Sequence, residues 1–353
     1  MLSRVEKFEV ALKQTECDAV LVTNLKNIYY LTGFSGTEAT VFISKNRRIF
    51  LTDSRYTLIA KGVVKGFDIV ETRDALSEIA KIIADDKIKT IGFDDEISYH
   101  SFKTLEELFS DYKLTAMTAF IENLRMIKDE GEIATIRKAC QISDQAFLDV
   151  LDFIKPGQTT ELQVMNFLDA RMRQLGASGA SFDFIIASGY RSAMPHGVAS
   201  EKVIQTGETL TMDFGCYYNH YVSDMTRTIH VGHVTDEERE IYDIVLRSNQ
   251  ALIEAAKAGM SRIEFDQVPR KVINDAGYGQ YFTHGIGHGI GLDIHEIPYF
   301  GKSSEPIEAG MVLTDEPGIY LDGKYGVRIE DDILITETGC ELLTLAPKEL
   351  IVI

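Results

Sequence analysis

The chain has 353 residues, of which 45% are hydrophobic and 25% are charged, a composition that excludes disordered and fibrous proteins. Its 54 Asp and Glu residues outnumber its 36 Lys and Arg residues, and the formal charge of −18 argues against a nucleic-acid-binding protein, which needs a basic surface. Four scattered cysteines without a CxxC pair indicate reduced core thiols rather than a disulfide framework.

The first residues of the chain and its apolar runs bear on its location. Charges fall in every turn of the first ten residues, which is unlike a signal peptide. No apolar run approaches the roughly 18 residues that a membrane span needs. We therefore expect a cytoplasmic protein that binds neither membrane nor nucleic acid. The length of the chain is suited to about two domains.

The first part of the chain alternates helical patterns with short apolar strands. The predicted strands are 19–22, 40–43, 48–51 and 90–93, and such alternation is typical of an α/β layer domain. A long helical pattern then covers 121–150, where apolar residues recur at helical spacing. We place the domain boundary near residue 123, giving domains at 1–122 and 123–353.

The second part contains a faint internal repeat. The segment 155–159 resembles 257–261, and 211–217 resembles 314–320, at offsets of 102 and 103. Within these segments Asp213 corresponds to Glu316, and each is followed by a further carboxylate, Asp224 or Glu330. Two matches in the same order predict duplicated half-domains, each with helices followed by a hairpin, and a site between them.

The four carboxylates point to metal chemistry. Asp213, Asp224, Glu316 and Glu330 lie near the ends of apolar strand patterns, where burying an unpaired carboxylate costs several kcal/mol. Any one of them alone is better explained as a turn or cap residue. Four together, with one histidine, would balance two divalent cations that activate water and polarise a carbonyl.

The histidine that would bind metal with these carboxylates is expected in the glycine-rich segment 284–295. Four glycines in eight residues rule out a stable helix that would present His284 and His288 on one face. The segment is neither an HExxH zinc motif nor a phosphate-binding loop. The alternative is a flexible loop with incidental histidines.

Five motifs resemble those of the pita-bread metallopeptidases, a family that includes methionine aminopeptidase, aminopeptidase P, prolidase and creatinase. They occur in the family's order. They are Asp213-Phe-Gly, Ser223-Asp-Met-Thr-Arg-Thr, His284-Gly-Ile-Gly-His-Gly, Thr314-Asp-Glu-Pro-Gly-Ile-Tyr and Arg328-Ile-Glu-Asp. Tyr30-Leu-Thr-Gly-Phe-Ser-Gly-Thr and Thr52-Asp-Ser-Arg-Tyr resemble the creatinase-type N-terminal domain of the proline-specific branch, closest to bacterial aminopeptidase P.

The resemblance implies an α/β plus α+β fold, with a creatinase-like α/β domain followed by a pita-bread catalytic domain that has an internal pseudo-twofold repeat. It also implies a set of metal ligands: Asp213, Asp224, His288, Glu316 and Glu330. Asp224 and Glu330 would bridge two metals, and Glu316 would also accept a proton from the attacking water. His196, His295 and His284 correspond to histidines that move protons or orient substrate. Arg328, two residues before Glu330 and therefore expected on the same strand face, would brace a ligand carboxylate.

The predicted function is that of an Xaa-Pro aminopeptidase acting on proline-containing peptides, with prolidase, which cleaves Xaa-Pro dipeptides, as the alternative. A creatinase-like hydrolase and a non-catalytic pita-bread binding protein rank lower, because all five ligand positions are filled. Oxygen ligands favour manganese, with cobalt or another divalent metal as alternatives. The resemblance also implies a homodimer.

Overall fold

The structure is a computed structural model that describes residues 2–84 and 86–353. By its internal contacts the chain forms two compact units, Met1–Arg125 and Met126–Ile353. The domain limits drawn from the sequence, 1–122 and 123–353, stay a prediction.

The first unit is a mixed α/β layer. Its elements are α1 (Arg4–Leu12), β1 (Ala19–Val22), α2 (Leu25–Thr32), β2 (Thr40–Ser44), β3 (Arg48–Thr52), α3 (Thr57–Val63), β4 (Asp68–Glu71), α4 (Ala75–Ile83), β5 (Thr90–Phe93), α5 (Tyr99–Leu108), β6 (Lys113–Ala116) and α6 (Phe120–Arg125). Its strands form one sheet in the order β4-β3-β2-β1-β5-β6. The central strand β1 is antiparallel to β2 and parallel to β5. The four strands predicted from apolar runs are confirmed, and the apolar residues of each run are buried in this sheet.

The long helical pattern at 121–150 corresponds to two helices rather than one. The first helix, α6, ends at Arg125, and α7 (Glu130–Phe153) follows with Asp129 as its N-cap. The Asp129 side chain accepts a hydrogen bond from the backbone N of Glu132, and the Glu132 side chain accepts one from the backbone N of Asp129. This capping box starts a new helix. The helical spacing of apolar residues continues from α6 into α7, so the end of one helix and the start of the next are indicated only by the capping residues.

The second unit contains helices followed by β-hairpins, twice over. After α7 come α8 (Glu161–Gln174), β7 (Gly179–Ala180), β8 (Ile185–Ser188), β9 (Thr209–Phe214), β10 (Cys216–Tyr218), β11 (Tyr221–Val222), β12 (Met225–His230), α9 (Asp236–Ala255), α10 (Arg262–Asp275), β13 (His288–Gly289), β14 (Glu296–Tyr299), β15 (Val312–Asp315), β16 (Gly318–Leu321), β17 (Tyr325–Arg328), β18 (Asp331–Ile335) and β19 (Cys340–Leu342). The sheets have the orders β12-β9-β8, β14-β13-β15-β18-β19, β11-β10-β7 and β16-β17.

Matching hydrogen bonds confirm the internal repeat. Gly157 donates its N–H to Ile204 O at 2.8 Å, and Gly259 donates to Ile307 O at 2.9 Å. Each half also begins with two capped helices, α7 and α8 or α9 and α10, and every one of these four has a capping box. The two halves therefore share local chemistry as well as order.

Each half has its own apolar core beneath its hairpin. Met212 and Phe214 of β9 lie in the first core, and Leu313 of β15 and Ile333 of β18 lie in the second. These strands are fully buried, so the side chains at their ends are held on rigid elements. Within the described residues no helix is long and apolar enough to cross a membrane.

Candidate metal centre

The four carboxylates lie at corresponding ends of two antiparallel strand pairs. Asp213 is the fifth residue of β9, and Asp224 directly precedes β12, the strand that pairs with β9. Glu316 directly follows β15, and Glu330 directly precedes its partner β18. Antiparallel pairing brings each pair of carboxylates together, as the repeat predicted.

Hydrogen bonds join the two halves at this point. Glu330 donates its backbone N–H to Thr226 O at 3.0 Å, and the Thr226 hydroxyl donates to Glu330 Oε2 at 2.6 Å. Asp224 donates its N–H to Asp332 Oδ2 at 2.9 Å. These contacts connect residues more than 100 positions apart, and they hold the two carboxylate pairs next to each other.

His288 lies on β13 with one ring nitrogen free to bind a cation. Its Nδ1 is 3.1 Å from Gly289 O. Because a carbonyl oxygen only accepts, Nδ1 carries the proton and Nε2 keeps its lone pair. Nε2 is 3.7 Å from Asp224 Oδ2 and 3.7 Å from Glu316 Oε1. Burial, with His295 nearby, lowers the pKa of His288 to about 4, so the imidazole is neutral at pH 7.

The glycines around His288 allow the close packing that places it. A Cβ at Gly289 would lie 2.5 Å from Ile297 O, and a Cβ at Gly287 would lie 2.3 Å from Thr314 O. Neither approach tolerates a side chain. The glycine-rich segment is therefore packed closely against its neighbours at Gly287 and Gly289, with a short strand at His288–Gly289.

The donor set fits divalent cations. Asp224, His288 and Glu330 each offer a ligand atom, and these atoms lie within 4.8 Å of one another. Asp213 Oδ1 is buried without a hydrogen-bond partner, an arrangement that costs free energy unless a cation compensates it. Carboxylate oxygens and one imidazole suit such ions.

The electrostatics of the carboxylates lead to the same conclusion. Burial and then repulsion from neighbouring carboxylates raise the pKa of Asp224 and of Glu330 well above the ordinary values. Burial raises the pKa of Glu316 to about 7. Burial also raises the pKa of Asp213, although Arg328 opposes the shift. A cluster of this kind needs protons or cations to be stable at neutral pH.

Arg328 donates a hydrogen bond to Asp213 from the end of a strand that does not include Glu330. Arg328 is the last residue of β17, whereas Glu330 lies outside the strands, just before β18. The expectation that the two share one strand face is wrong, because the chain leaves one strand and enters another between them. The Arg328 guanidinium donates from Nη2 to Asp213 Oδ2 at 2.6 Å and from Nε to Thr226 Oγ1 at 3.0 Å.

His284 and Tyr320 form a hydrogen-bonded pair that sequence reasoning did not single out. His284 Nδ1 is 2.8 Å from Gly285 O and therefore donates to it, and Nε2 is 2.8 Å from the Tyr320 hydroxyl. Since Nε2 must accept, Tyr320 donates to it and accepts from Arg328 Nη1 at 2.9 Å. Burial raises the pKa of Tyr320 to about 12, so the hydroxyl keeps its proton. Tyr320 closes the Thr314–Tyr320 motif, which was its only signal.

His196 and His295 lie at the exposed side of the site. His196 follows a 3₁₀ turn at Gly189–Ala193, and His295 precedes β14. Both are solvent-exposed. The ring of His295 is 4.2 Å from that of His288, centroid to centroid. Partial burial lowers the pKa of His295.

All of the predicted site residues line one cavity of about 450 Å³, a volume in the usual range for small-molecule sites. They are Asp213, Asp224, Glu316, Glu330, His196, His284, His288, His295 and Arg328. Sequence reasoning did not identify the apolar lining, which includes Phe182, Ile185, Val198 and Ile294. Apolar residues in strands and turns give no local sign of which cavity they will border.

A second cleft, of about 580 Å³, lies beside the β2–β3 turn of the first unit and includes Arg47 and Arg48. Arg47 is paired with Asp86 at 2.8 Å, and Arg48 with Glu9 at 2.6 Å. Its arginines are thus neutralised by neighbours. This cleft does not present the clustered, uncompensated charge that marks the other cavity.

Fold and site together define a metallopeptidase of the pita-bread type with a creatinase-like N-terminal domain. The family model of the metallopeptidase family M24 matches residues 134–337, and that of the creatinase/prolidase N-terminal domain matches residues 4–127. The chain belongs to metallopeptidase family M24.

Relatives resemble the chain along its whole length. A structure described as an Xaa-Pro dipeptidase from Bacillus anthracis is 44% identical with a TM-score of 0.96, covering 99% of each chain. An X-Pro aminopeptidase structure from Thermotoga maritima is 40% identical with a TM-score of 0.91, covering 98% of this chain and 100% of that one. An Xaa-Pro dipeptidase from Pyrococcus furiosus is 38% identical, covering 99% of this chain and 100% of its own.

Proposed function

We propose that this protein is a metal-dependent Xaa-Pro dipeptidase, a prolidase. The observation that carries the proposal is the convergence of four carboxylates, three buried and one half-buried, and one neutral histidine on a single cavity. The dipeptidases from Bacillus anthracis and Pyrococcus furiosus support this substrate class. They favour prolidase over the Xaa-Pro aminopeptidase that led the sequence-based prediction.

The proposed metal ligands are Asp213, Asp224, His288, Glu316 and Glu330, with Asp224 and Glu330 shared between two ions. Two divalent cations would supply Lewis-acid polarisation of the peptide carbonyl and activation of water. Oxygen-rich ligation favours manganese. Metal analysis of the purified protein, with activity restored to the stripped protein by one metal at a time, tests this choice.

The side chains around the ligands have separate proposed roles. Glu316 accepts the proton of the attacking water at its carboxylate. His284 Nδ1 is 3.9 Å from Glu316 Oε2. Because both of its nitrogens already have partners in the protein, His284 acts by orienting its neighbours. Arg328 holds Asp213 in place.

His196 and His295 are proposed to meet the substrate. A dipeptide brings a C-terminal carboxylate into the cavity. Among the described residues that line it, Arg328 is the one Arg or Lys side chain, and its guanidinium is already bonded to Asp213. The two exposed histidines are left to bind the dipeptide carboxylate or to stabilise the developing oxyanion.

An Xaa-Pro aminopeptidase remains the second candidate, because the Thermotoga maritima structure with that description is 40% identical. The test is hydrolysis of Ala-Pro, Arg-Pro-Pro and Ala-Ala by metal-stripped protein with and without added Mn²⁺. Metal-dependent cleavage of Ala-Pro alone supports prolidase. Release of arginine from Arg-Pro-Pro supports the aminopeptidase, and silence on all three with metal bound contradicts both.

We also infer that the protein functions as a homodimer, an inference that rests on the family resemblance. Sedimentation equilibrium of the purified chain tests it. A mass near twice 39.5 kDa is expected, and a monomer across the accessible concentration range contradicts it.

A further inference from the structure

The two strands that follow the shared carboxylates have the same layout. Asp224 is followed by β12, whose second residue is Thr226, and Glu330 is followed by β18, whose second residue is Asp332. Thr226 and Asp332 are fully buried. They therefore occupy equivalent places in the two halves of the repeat, two residues after a carboxylate in each case.

Each of these side chains crosses to the carboxylate residue of the other half. Thr226 Oγ1 donates to Glu330 Oε2 at 2.6 Å, and Asp332 Oδ2 accepts the backbone N–H of Asp224 at 2.9 Å. We propose that Thr226 and Asp332 are positioning residues that hold Glu330 and Asp224, respectively, in the geometry needed to share two cations. This proposal rests on the proposed metal centre.

The direction of the Thr226 hydrogen bond is determined by its neighbours. Thr226 Oγ1 accepts from Arg328 Nε at 3.0 Å. A hydroxyl has one proton, and here it is directed to Glu330 Oε2. A donor to one oxygen limits rotation of the Glu330 carboxylate, and lone pairs remain on both oxygens for cations.

Asp332 is itself held from behind. Cys140 on α7 donates its S–H to Asp332 Oδ2 at 3.3 Å. The backbone N of Asp332 donates to Thr344 Oγ1 at 3.1 Å. Asp332 is thereby fixed on two sides, so it can define the position of Asp224.

The two braces differ in the way that the two ligand side chains require. A glutamate has three side-chain torsions, and its carboxylate is controlled best by a contact at its tip, which Thr226 supplies. An aspartate has two torsions, so fixing its backbone largely fixes its carboxylate. Asp332 supplies that backbone contact. The second residue of the strand therefore supports a metal-binding carboxylate in both halves, by a side-chain contact in one half and by a backbone contact in the other.

The test is metal affinity, measured by competition with a chromophoric chelator, because this readout does not depend on a substrate. Thr226→Val and Asp332→Leu are expected to weaken Mn²⁺ binding roughly 10- to 100-fold, as loss of supporting hydrogen bonds does at metal sites. Thr226→Ser and Asp332→Asn keep the hydroxyl donor and the carbonyl acceptor. They are expected to stay within about threefold of the parent.

A buried threonine in the first unit provides the control. Thr52 is buried in β3 and its hydroxyl donates to Glu38 O at 2.6 Å. Thr52→Val makes the same chemical change outside the cavity and is expected to leave metal affinity unchanged. An equal loss of affinity in Thr52→Val, or parental affinity in a folded Thr226→Val, overturns the proposal. Thr226→Val decides the question even if Asp332→Leu does not fold.

Peptide hydrolysis by the same variants separates this proposal from the proposed function. If the parent protein binds two Mn²⁺ ions but cleaves no Xaa-Pro peptide, the prolidase assignment is wrong. The positioning roles of Thr226 and Asp332 are then still decided by the Mn²⁺ affinities of the variants. For a cleaving parent, Thr226→Val at saturating Mn²⁺ is expected to lower kcat and leave KM within about twofold, because Thr226 supports a ligand and contacts no substrate. A change confined to KM overturns the positioning role.

Discussion

Arg328 Nη2 lies 2.6 Å from Asp213 Oδ2, and both side chains are largely buried beside the four-carboxylate cavity. The pair joins residues 115 positions apart, one from each half of the internal repeat. It compensates one oxygen of Asp213 and leaves the other, Oδ1, without a protein partner. That division of roles leads to a first prediction.

Replacing Arg328 by methionine should destabilise the metal-free protein by about 3–5 kcal/mol, because it leaves a buried carboxylate unpaired. The free energy of unfolding in urea measures this loss. Arg55→Met is the matched control. Arg55 also pairs at 2.6 Å, with Asp53, but its side chain is 63% exposed, and such surface pairs contribute about 1 kcal/mol or less. Equal losses in the two variants would show that Asp213 is not dependent on Arg328.

Asp224→Asn should abolish peptide hydrolysis and reduce bound metal below two ions per chain. The amide has the same shape but lacks the negative charge and one anionic donor that a shared ligand needs. Metal content by atomic emission and the rate on Ala-Pro measure the two effects. Full activity with two bound metals would mean that Asp224 is not a ligand.

His196 and His288 should respond differently to the same substitution. His288→Gln is expected to lose metal, because Nε2 faces Asp224 and Glu316 at 3.7 Å. His196→Gln should keep both metals but lose roughly 100-fold or more in kcat, the usual effect of removing a group that transfers protons or stabilises an oxyanion. Metal loss in His196→Gln would instead identify that histidine as a ligand.

Removal of metal should make stability fall as the pH rises. The pKa of Glu316 is raised by burial to about 7 in the folded protein, above its unfolded value, so the folded state binds this proton more tightly. The resulting stability is present at low pH and is lost as the pH rises through 7. Chelator-treated protein should therefore have a lower Tm at about pH 8 than at about pH 6, and Mn²⁺ should raise Tm more at the higher pH. A Mn²⁺-induced rise in Tm that is equal at both values contradicts the prediction.

His230 should give the metal-loaded protein the opposite pH dependence. Its ring is fully buried and neither ring nitrogen has a hydrogen-bond partner. Burial lowers its pKa, with Arg239 and His233 acting in the same direction and Glu238 opposing. A base whose pKa is lowered on folding loses stability as the pH falls through its unfolded value near 6.5.

The variant His230→Leu removes this titration and tests the prediction. Between about pH 8 and about pH 5 the Tm of the parent should fall further than that of His230→Leu. His100→Leu, which changes an exposed histidine on α5, should follow the parent. Parallel curves for all three proteins would exclude His230 as the source.

Much of the fold and site was predictable from local patterns. The apolar runs at 19–22 and 90–93 became strands β1 and β5, because a short apolar run is stable as a strand only in a covered sheet. The repeat was visible because its two halves use matching turn and capping residues. The helix break at Asp129 was missed, since helical periodicity outweighed the capping signal of two residues, Asp129 and Glu132.

The same limit applies to Arg328 and Tyr320. The spacing of two residues between Arg328 and Glu330 suggested a shared strand face, but the chain changes strands between them. Tyr320 was within a recognised motif, yet its hydrogen bonds to His284 and Arg328 depend on the packing of separate segments.

The sequence by itself determined the order of elements, the duplicated carboxylates and the family, because these follow from periodicity, spacing and motif order along the chain. Only the tertiary structure decided which side chain supports which carboxylate. The contacts from Arg328 to Asp213, from Thr226 to Glu330 and from Asp224 to Asp332 span 115, 104 and 108 positions. They depend on how the two halves meet, and hydrogen bonds act over about 3 Å, a precision that no local pattern carries.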